Sequence, residues 1–166
     1  MKIRILALAV VALFLAAFAA SAQTGTWTAV GSTGAIDPAS VGISAVFGGT
    51  RLGFSSQTGN TIVTRFNVTN TYGGAFNDIT PWTTLELGAV NASGVDPVTA
   101  TLYKVNPCTG ARSAICSVTN NFSNVCVRCT FAAGTINFGP NLYYVEVSIS
   151  RTATTGGPQL STLRIF

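Results

Sequence analysis

The chain contains no histidine, and only nine basic and five acidic residues among its 166. Without histidine, Ser-His-Asp and Cys-His relays and His-ligated metal sites are excluded within this chain. Charged residues make up 8% of the sequence, against about 25% in an ordinary soluble domain. Thr, Ser, Asn and Gly must therefore form most of the polar surface. There are no Lys/Arg clusters, hence no electrostatic footprint for nucleic acid and no polybasic patch for anionic lipid. Helix-forming composition is also missing: past the first turns of sequence, no segment holds a helical period over three turns.

The acids beyond the N-terminal segment are Asp37, Asp78, Glu86, Asp96 and Glu146. Paired carboxylates could hydrolyse glycosides. Glu86 and Glu146, however, fall at outward positions of predicted strands, and Asp37 and Asp96 precede prolines in turns, which reads as solvated charge and turn chemistry. No spaced acidic loop of the EF-hand kind is present. The sequence therefore predicts no catalytic residue, no metal and no cofactor, and a protein that is not an enzyme.

What is present begins with a leader pattern. Met1-Lys-Ile-Arg4 is basic, Ile5 to Ala20 is apolar, and Ala20-Ser21-Ala22 is a small-residue cleavage site, the three parts of a secretory signal peptide. The apolar run is short for a membrane span, and nothing later is long and apolar enough for one. The expectation is cleavage after Ala22, giving a secreted, extracellular or periplasmic protein of residues 23–166 in a single domain. Lys2 and Arg4 leave with the leader, so the net charge falls from +4 to +2.

From residue 26 the chain alternates short β-patterned runs with Gly, Pro and Asn turns. Thr61 to Thr69 places Ile62, Phe66 and Val68 on one face; Trp82 to Val90 places Leu85, Leu87 and Ala89 on one face; Leu142 to Ser150 places Tyr143, Val145, Val147 and Ile149 on one face. Val41 to Phe47 alternates in the same way, and Gly48-Gly49 turns it into Arg51–Phe54 as a hairpin. Val98–Val105 should return through Asn106–Gly110 to a strand from about Arg112, and the last two strands should pair as an antiparallel hairpin. Nine or ten short strands predict an all-β, single-domain antiparallel β-sandwich, with a closed β-barrel as the alternative.

All four cysteines, Cys108, Cys116, Cys126 and Cys129, lie within the stretch from Val98 to Arg151. In an exported chain they read as two structural disulfides. The favoured pairing is Cys108–Cys116 with Cys126–Cys129, each closing a local loop, and the nested pairing Cys108–Cys129 with Cys116–Cys126 is its rival. Cys126-Val-Arg-Cys129 matches the redox C-x-x-C spacing, but strand-like sequence follows it where a thiol-activating helix would be needed.

Two functions fit these features. The first is an exported, non-catalytic structural or interaction protein of the cell envelope or extracellular space, self-associating or meeting a protein partner through its edge strands. The alternative is a polysaccharide-binding module using exposed aromatics of the 70–82 loop, where Tyr72, Phe76 and Trp82 would stack on sugar faces. Against the second stands the tendency of large aromatics to fill cores.

Overall fold

The computed structural model describes residues 25–55, 60–72, 78–152 and 157–166. The leader pattern at 1–22 and Phe76 lie outside the described residues. Among the described residues, eleven strands follow in the order β1 (Trp27–Val30), β2 (Ala35–Ile36), β3 (Ser44–Phe47), β4 (Arg51–Phe54), β5 (Asn60–Val68), β6 (Thr84–Val90), β7 (Val98–Val105), β8 (Arg112–Asn120), β9 (Val125–Thr130), β10 (Leu142–Arg151) and β11 (Gln159–Ile165). They form two antiparallel sheets, a β-sandwich. One sheet runs β3-β4-β11-β6-β9 with β1 also on β11, and the other runs β2-β5-β10-β7-β8. The sheets do not close on each other, so the barrel alternative falls.

The sandwich follows from period-two patterning. On β10, Tyr143, Val145, Val147 and Ile149 are buried, and the residues between them are half-buried on the outer face. Leu85, Leu87 and Ala89 of β6 and Ile62, Phe66 and Val68 of β5 meet them from both layers. Each fully buried Val, Leu or Ile contributes about 1.5–3 kcal/mol relative to exposure, so a register slip of one residue on β10 would turn three such side chains, and Tyr143 with them, to water.

Five expectations are corrected. Val41 is not on a strand: Pro38–Ile43 form a 3-10 helix whose start is capped by Asp37, the side chain of which accepts from the Ala39 N–H. Proline at the first position of that turn favours it, and Val41 is left exposed. β10 and β11 are not a hairpin. β10 has both edges taken by β5 and β7, so β11 crosses to the other sheet and pairs with β1, β4 and β6. The strand count exceeds nine or ten partly because β2 is only two residues long, too short to carry a pattern.

Glu86 is the fourth correction. It faces outward on β6, as its alternation requires, yet it is buried. Arg128 of β9 and Arg164 of β11 fold over it, with Arg128 Nη2 at 2.6 Å from Oε2 and Arg164 Nη1 at 3.3 Å from Oε1. Both guanidiniums also lie against the Phe166 ring, 5.5 and 5.2 Å from its centroid. A buried carboxylate is retained here because each oxygen has a cationic donor.

The cysteines form neither expected pairing. Cys116 of β8 and Cys129 of β9 are bonded, with 6.1 Å between their Cα atoms, and Cys108 and Cys126 are free and exposed. Side chains alternate along a strand, so residues three apart such as Cys126 and Cys129 point to opposite faces, separated by about 10 Å along the chain. Cys129 faces inward from the edge of one sheet and meets Cys116 from the edge of the other. The bond thus staples the two layers at one side of the sandwich.

Candidate functional site

The expected aromatic site divides on inspection. Trp82 is 3% exposed. Its Nε1 donates to the Gly25 carbonyl at 2.8 Å, and its ring meets Phe138 edge-on with centroids 6.2 Å apart. Phe138 in turn packs edge-on against Tyr143 at 5.1 Å. Trp82 is therefore a core residue with its one donor satisfied, rather than an open platform. Tyr72 is half-buried against the same core. The two do share a shallow cavity of about 270 Å³ with Thr26, Pro81 and Phe166, so the structure brings Tyr72 and Trp82 together at one end of the sandwich.

A different aromatic group stands on the outer face of the β2-β5-β10-β7-β8 sheet. Strand register builds it row by row. In one row Asn67 of β5, Tyr144 of β10 and Tyr103 of β7 lie side by side; in the next, Arg65, Glu146, Thr101 and Ser117; in the third, Val63, Ser148, Thr99 and Thr119. All are outward-facing because their neighbours in sequence fill the core. The result is an open face of phenol, hydroxyl, amide, carboxylate and guanidinium groups over a buried apolar layer.

The Tyr103 and Tyr144 rings are stacked, with centroids 5.1 Å apart and planes at 20°. That spacing is close to the separation of neighbouring strands, so the rings stand side by side on directly opposite positions. Arg112, from the start of β8, holds its guanidinium carbon 5.1 Å from the Tyr103 ring centroid, and its Nη1 donates to Tyr144 Oη at 3.0 Å. Asn67, the register partner of Tyr144 on β5, is exposed.

Charge runs through the next row. Arg65 Nε donates to Glu146 Oε2 at 2.8 Å, Arg65 Nη1 donates to Asp37 Oδ2 at 3.2 Å, and Arg112 Nη1 lies 3.7 Å from Glu146 Oε2. The Arg65 pKa is raised above its ordinary value chiefly by the hydrogen bond to Glu146, against a smaller lowering by desolvation. That of Arg112 is raised chiefly by the hydrogen bond to Tyr144. Thr101 and Ser117 share a 2.9 Å hydrogen bond, and Thr99 and Thr119 one of 3.0 Å. These groups are pre-positioned by cross-strand pairing, so a ligand would find them already oriented.

Sequence reading missed Tyr103 and Tyr144. The signal available was their parity: both sit among the outward residues of strands whose inward residues are plain. Their juxtaposition depends on β7 and β10 being neighbours in one particular register, which no local pattern reveals.

Among the described residues no cluster of His, Cys, Asp and Glu is arranged to hold a metal ion, and no helix is long and apolar enough to cross a membrane. No family model matches the sequence, and no curated protein matches it. Solved structures similar in shape include the CBM36-1 domain of a multidomain xylanase from the hindgut metagenome of Trinervitermes trinervoides, 8% identical, covering 86% of this chain and 97% of that one at a TM-score of 0.48. A family 11 carbohydrate-binding module from Clostridium thermocellum, in complex with a mixed-linked tetrasaccharide, is 8% identical with 86% and 87% coverage and a TM-score of 0.44. Arthrobacter globiformis isomalto-dextranase, complexed with panose, is 15% identical at a TM-score of 0.48, over 87% of this chain but 24% of that one. At these scores and identities, none of the likenesses assigns an activity to this chain.

Proposed function

We propose that the protein binds polysaccharide without acting on it, and that the outer face of the β2-β5-β10-β7-β8 sheet is the binding surface. The observation that carries this reading is the stacked pair Tyr103–Tyr144, clamped by Arg112 and set beside Glu146, Arg65 and a ladder of hydroxyls. Sugar rings offer C–H faces that stack on aromatic rings and hydroxyls that pair with carboxylate, guanidinium and amide groups. Orientation by a few fixed polar groups beside aromatic surface is the usual construction of such sites. Export through the leader at 1–22 would bring the protein to extracellular or envelope glycans.

Residues 23–166, produced in an oxidising compartment, are run by affinity electrophoresis through gels containing xylan, mixed-linkage β-glucan, hydroxyethylcellulose or dextran. Retardation by at least one glycan, lost in Tyr144→Ala with the thermal midpoint kept, supports the reading. Unretarded migration in all of them sinks it.

A second reading, an interaction protein, is favoured by a separate observation. Among the described residues β8 pairs only with β7 and β9 only with β6. Two free edges thus lie on the side held by the Cys116–Cys129 bond, where an added strand could pair. Molar mass by light scattering across concentration tests it: a discrete oligomer supports edge pairing with a second copy, and a monomer at high concentration counts against it.

A further inference from the structure

The Tyr103–Tyr144 platform does not end at β5. We infer that the site continues over the free edge of β5 into the seam between the two sheets, so that its ligand is an internal segment of an extended, uncharged glycan chain rather than a chain end or an acidic polymer. This rests on the reading of the sheet face as a glycan site.

Backbone geometry makes the edge available. Val63 directs both its N–H and its C=O away from β10: the N–H donates to Ser40 Oγ at 3.0 Å, and the carbonyl accepts from Asp37 N–H at 2.9 Å. Backbone groups alternate sides along a strand, so Arg65 and Asn67 point the same way. Arg65 is met by Ala35 of β2, where that two-residue strand begins. Asn67 lies one step beyond. Before β2, Gly31–Thr33 form a 3-10 turn through which the chain arrives from the other sheet. Among the described residues no strand pairs with Asn67 on that side, and its backbone N–H and C=O face a gap there.

That gap is a cavity of about 330 Å³ lined by Thr28, Thr33, Ala35, Arg65 and Asn67, with Trp27 and Phe66 at its base. Its floor is apolar and buried, and its rim carries hydroxyls and an amide. A Cβ at Gly34 would run into the Phe66 ring and Thr64 Oγ1, so this glycine lets the chain close tightly beside the ring while the space past Asn67 stays open. Arg65 and Asn67 belong to both surfaces: they line the cavity and stand in the rows of Glu146 and Tyr144. The platform and the seam thus form one continuous surface, open at the β8 side and at the seam side.

Charge sets the ligand class. Asp37, Arg65, Arg112 and Glu146 contribute two charges of each sign and are mutually paired. An acidic glycan would have to displace Glu146 or Asp37 from the arginines to gain its own ion pairs, whereas hydroxyls can add to the network as it stands.

The test uses residues 23–166 and isothermal titration calorimetry. Oligosaccharides of increasing length are taken from whichever uncharged glycan retards the protein in gels, with polygalacturonate as the charged probe. The expected result is affinity that rises by roughly tenfold as chains lengthen from the disaccharide to the hexasaccharide. Ala35→Trp, which fills the seam, should remove that gain while leaving disaccharide affinity unchanged, and Asn67→Ala should weaken it. Thermal melts of both variants verify folding. Affinity that is flat with length, or a length gain untouched by Ala35→Trp and Asn67→Ala in folded protein, overturns the seam inference and leaves the platform reading standing. Preferential binding of polygalacturonate overturns the ligand class. Failure of every glycan removes the platform reading itself, and this inference with it.

Discussion

Cys116 and Cys129 join strands that belong to different sheets, with 6.1 Å between their Cα atoms and a sequence separation of 13. In the chain-entropy account a closed loop of this length adds about 3 kcal/mol by restricting the unfolded chain. Replacing both residues by alanine should lower the free energy of unfolding by about that amount. Single replacements of the exposed Cys108 and Cys126 should stay within about 0.5 kcal/mol. Alkylation before digestion gives an independent reading: label on Cys108 and Cys126, and a linked peptide pair holding Cys116 and Cys129. A recovered Cys108–Cys116 or Cys126–Cys129 link would contradict the topology of this side of the sandwich.

Glu86 is an outward strand carboxylate that the fold encloses, held by Arg128 and Arg164. Its two partners are about half exposed, which weakens the Coulomb contribution, but charge-assisted hydrogen bonds to a buried carboxylate still count for about 1.5–3 kcal/mol. Glu86→Ala leaves two guanidiniums facing each other beside Phe166. It should cost about 2 kcal/mol in urea unfolding, and added salt should recover part of that loss by screening the like charges. A neutral Glu86→Ala would mean that solvent satisfies both arginines equally well.

The layers of this fold are largely legible in the sequence, because burial of one face imposes period two. Ile62, Phe66 and Val68, Leu85, Leu87 and Ala89, and the inward set of β10 are all identified by alternation alone and all fill the core. Neighbour relations are not legible. Nothing local in Leu142–Arg151 says that it lies between β5 and β7, and proximity in sequence wrongly suggests β11 as its partner. The same gap hides the Tyr103–Tyr144 stack and favours local disulfides over the inter-sheet one. Trp82 shows a further limit: an aromatic after a long loop reads equally well as a platform or a plug, and only the Gly25 carbonyl waiting for its N–H decides between them.

Trp82 therefore separates the end cavity from the sheet face. Trp82→Phe keeps most of the packing and loses the hydrogen bond to Gly25, so it should cost about 1 kcal/mol. Trp82→Ala should cost about 3–5 kcal/mol. Glycan retardation by Trp82→Phe should match the parent protein. If Trp82→Phe loses glycan binding while keeping its thermal midpoint, the binding site is the cavity shared with Tyr72 and Phe166, and the sheet face is not.

Arg112 provides the sharpest test of how the tyrosine pair is held. Its guanidinium stacks on Tyr103 and donates to Tyr144 Oη, two contacts that need a planar group with several donors. It is exposed, so Arg112→Ala and Arg112→Lys should leave the thermal midpoint close to that of the parent protein. Both should nonetheless weaken glycan binding, Arg112→Lys included, because an ammonium cannot cover the ring and reach the hydroxyl in the same way. The raised pKa of Arg112 fixes the sign of the pH response. A group whose folded pKa lies above its unfolded value contributes fully below the unfolded value, which for arginine lies well above the physiological range. Its contribution is lost only as the pH rises beyond that value. Arg112 should thus add no pH dependence to stability or binding between about pH 6 and pH 9. Full retention of affinity by Arg112→Lys would show that Arg112 supplies only charge, and that the rings are positioned by strand register alone.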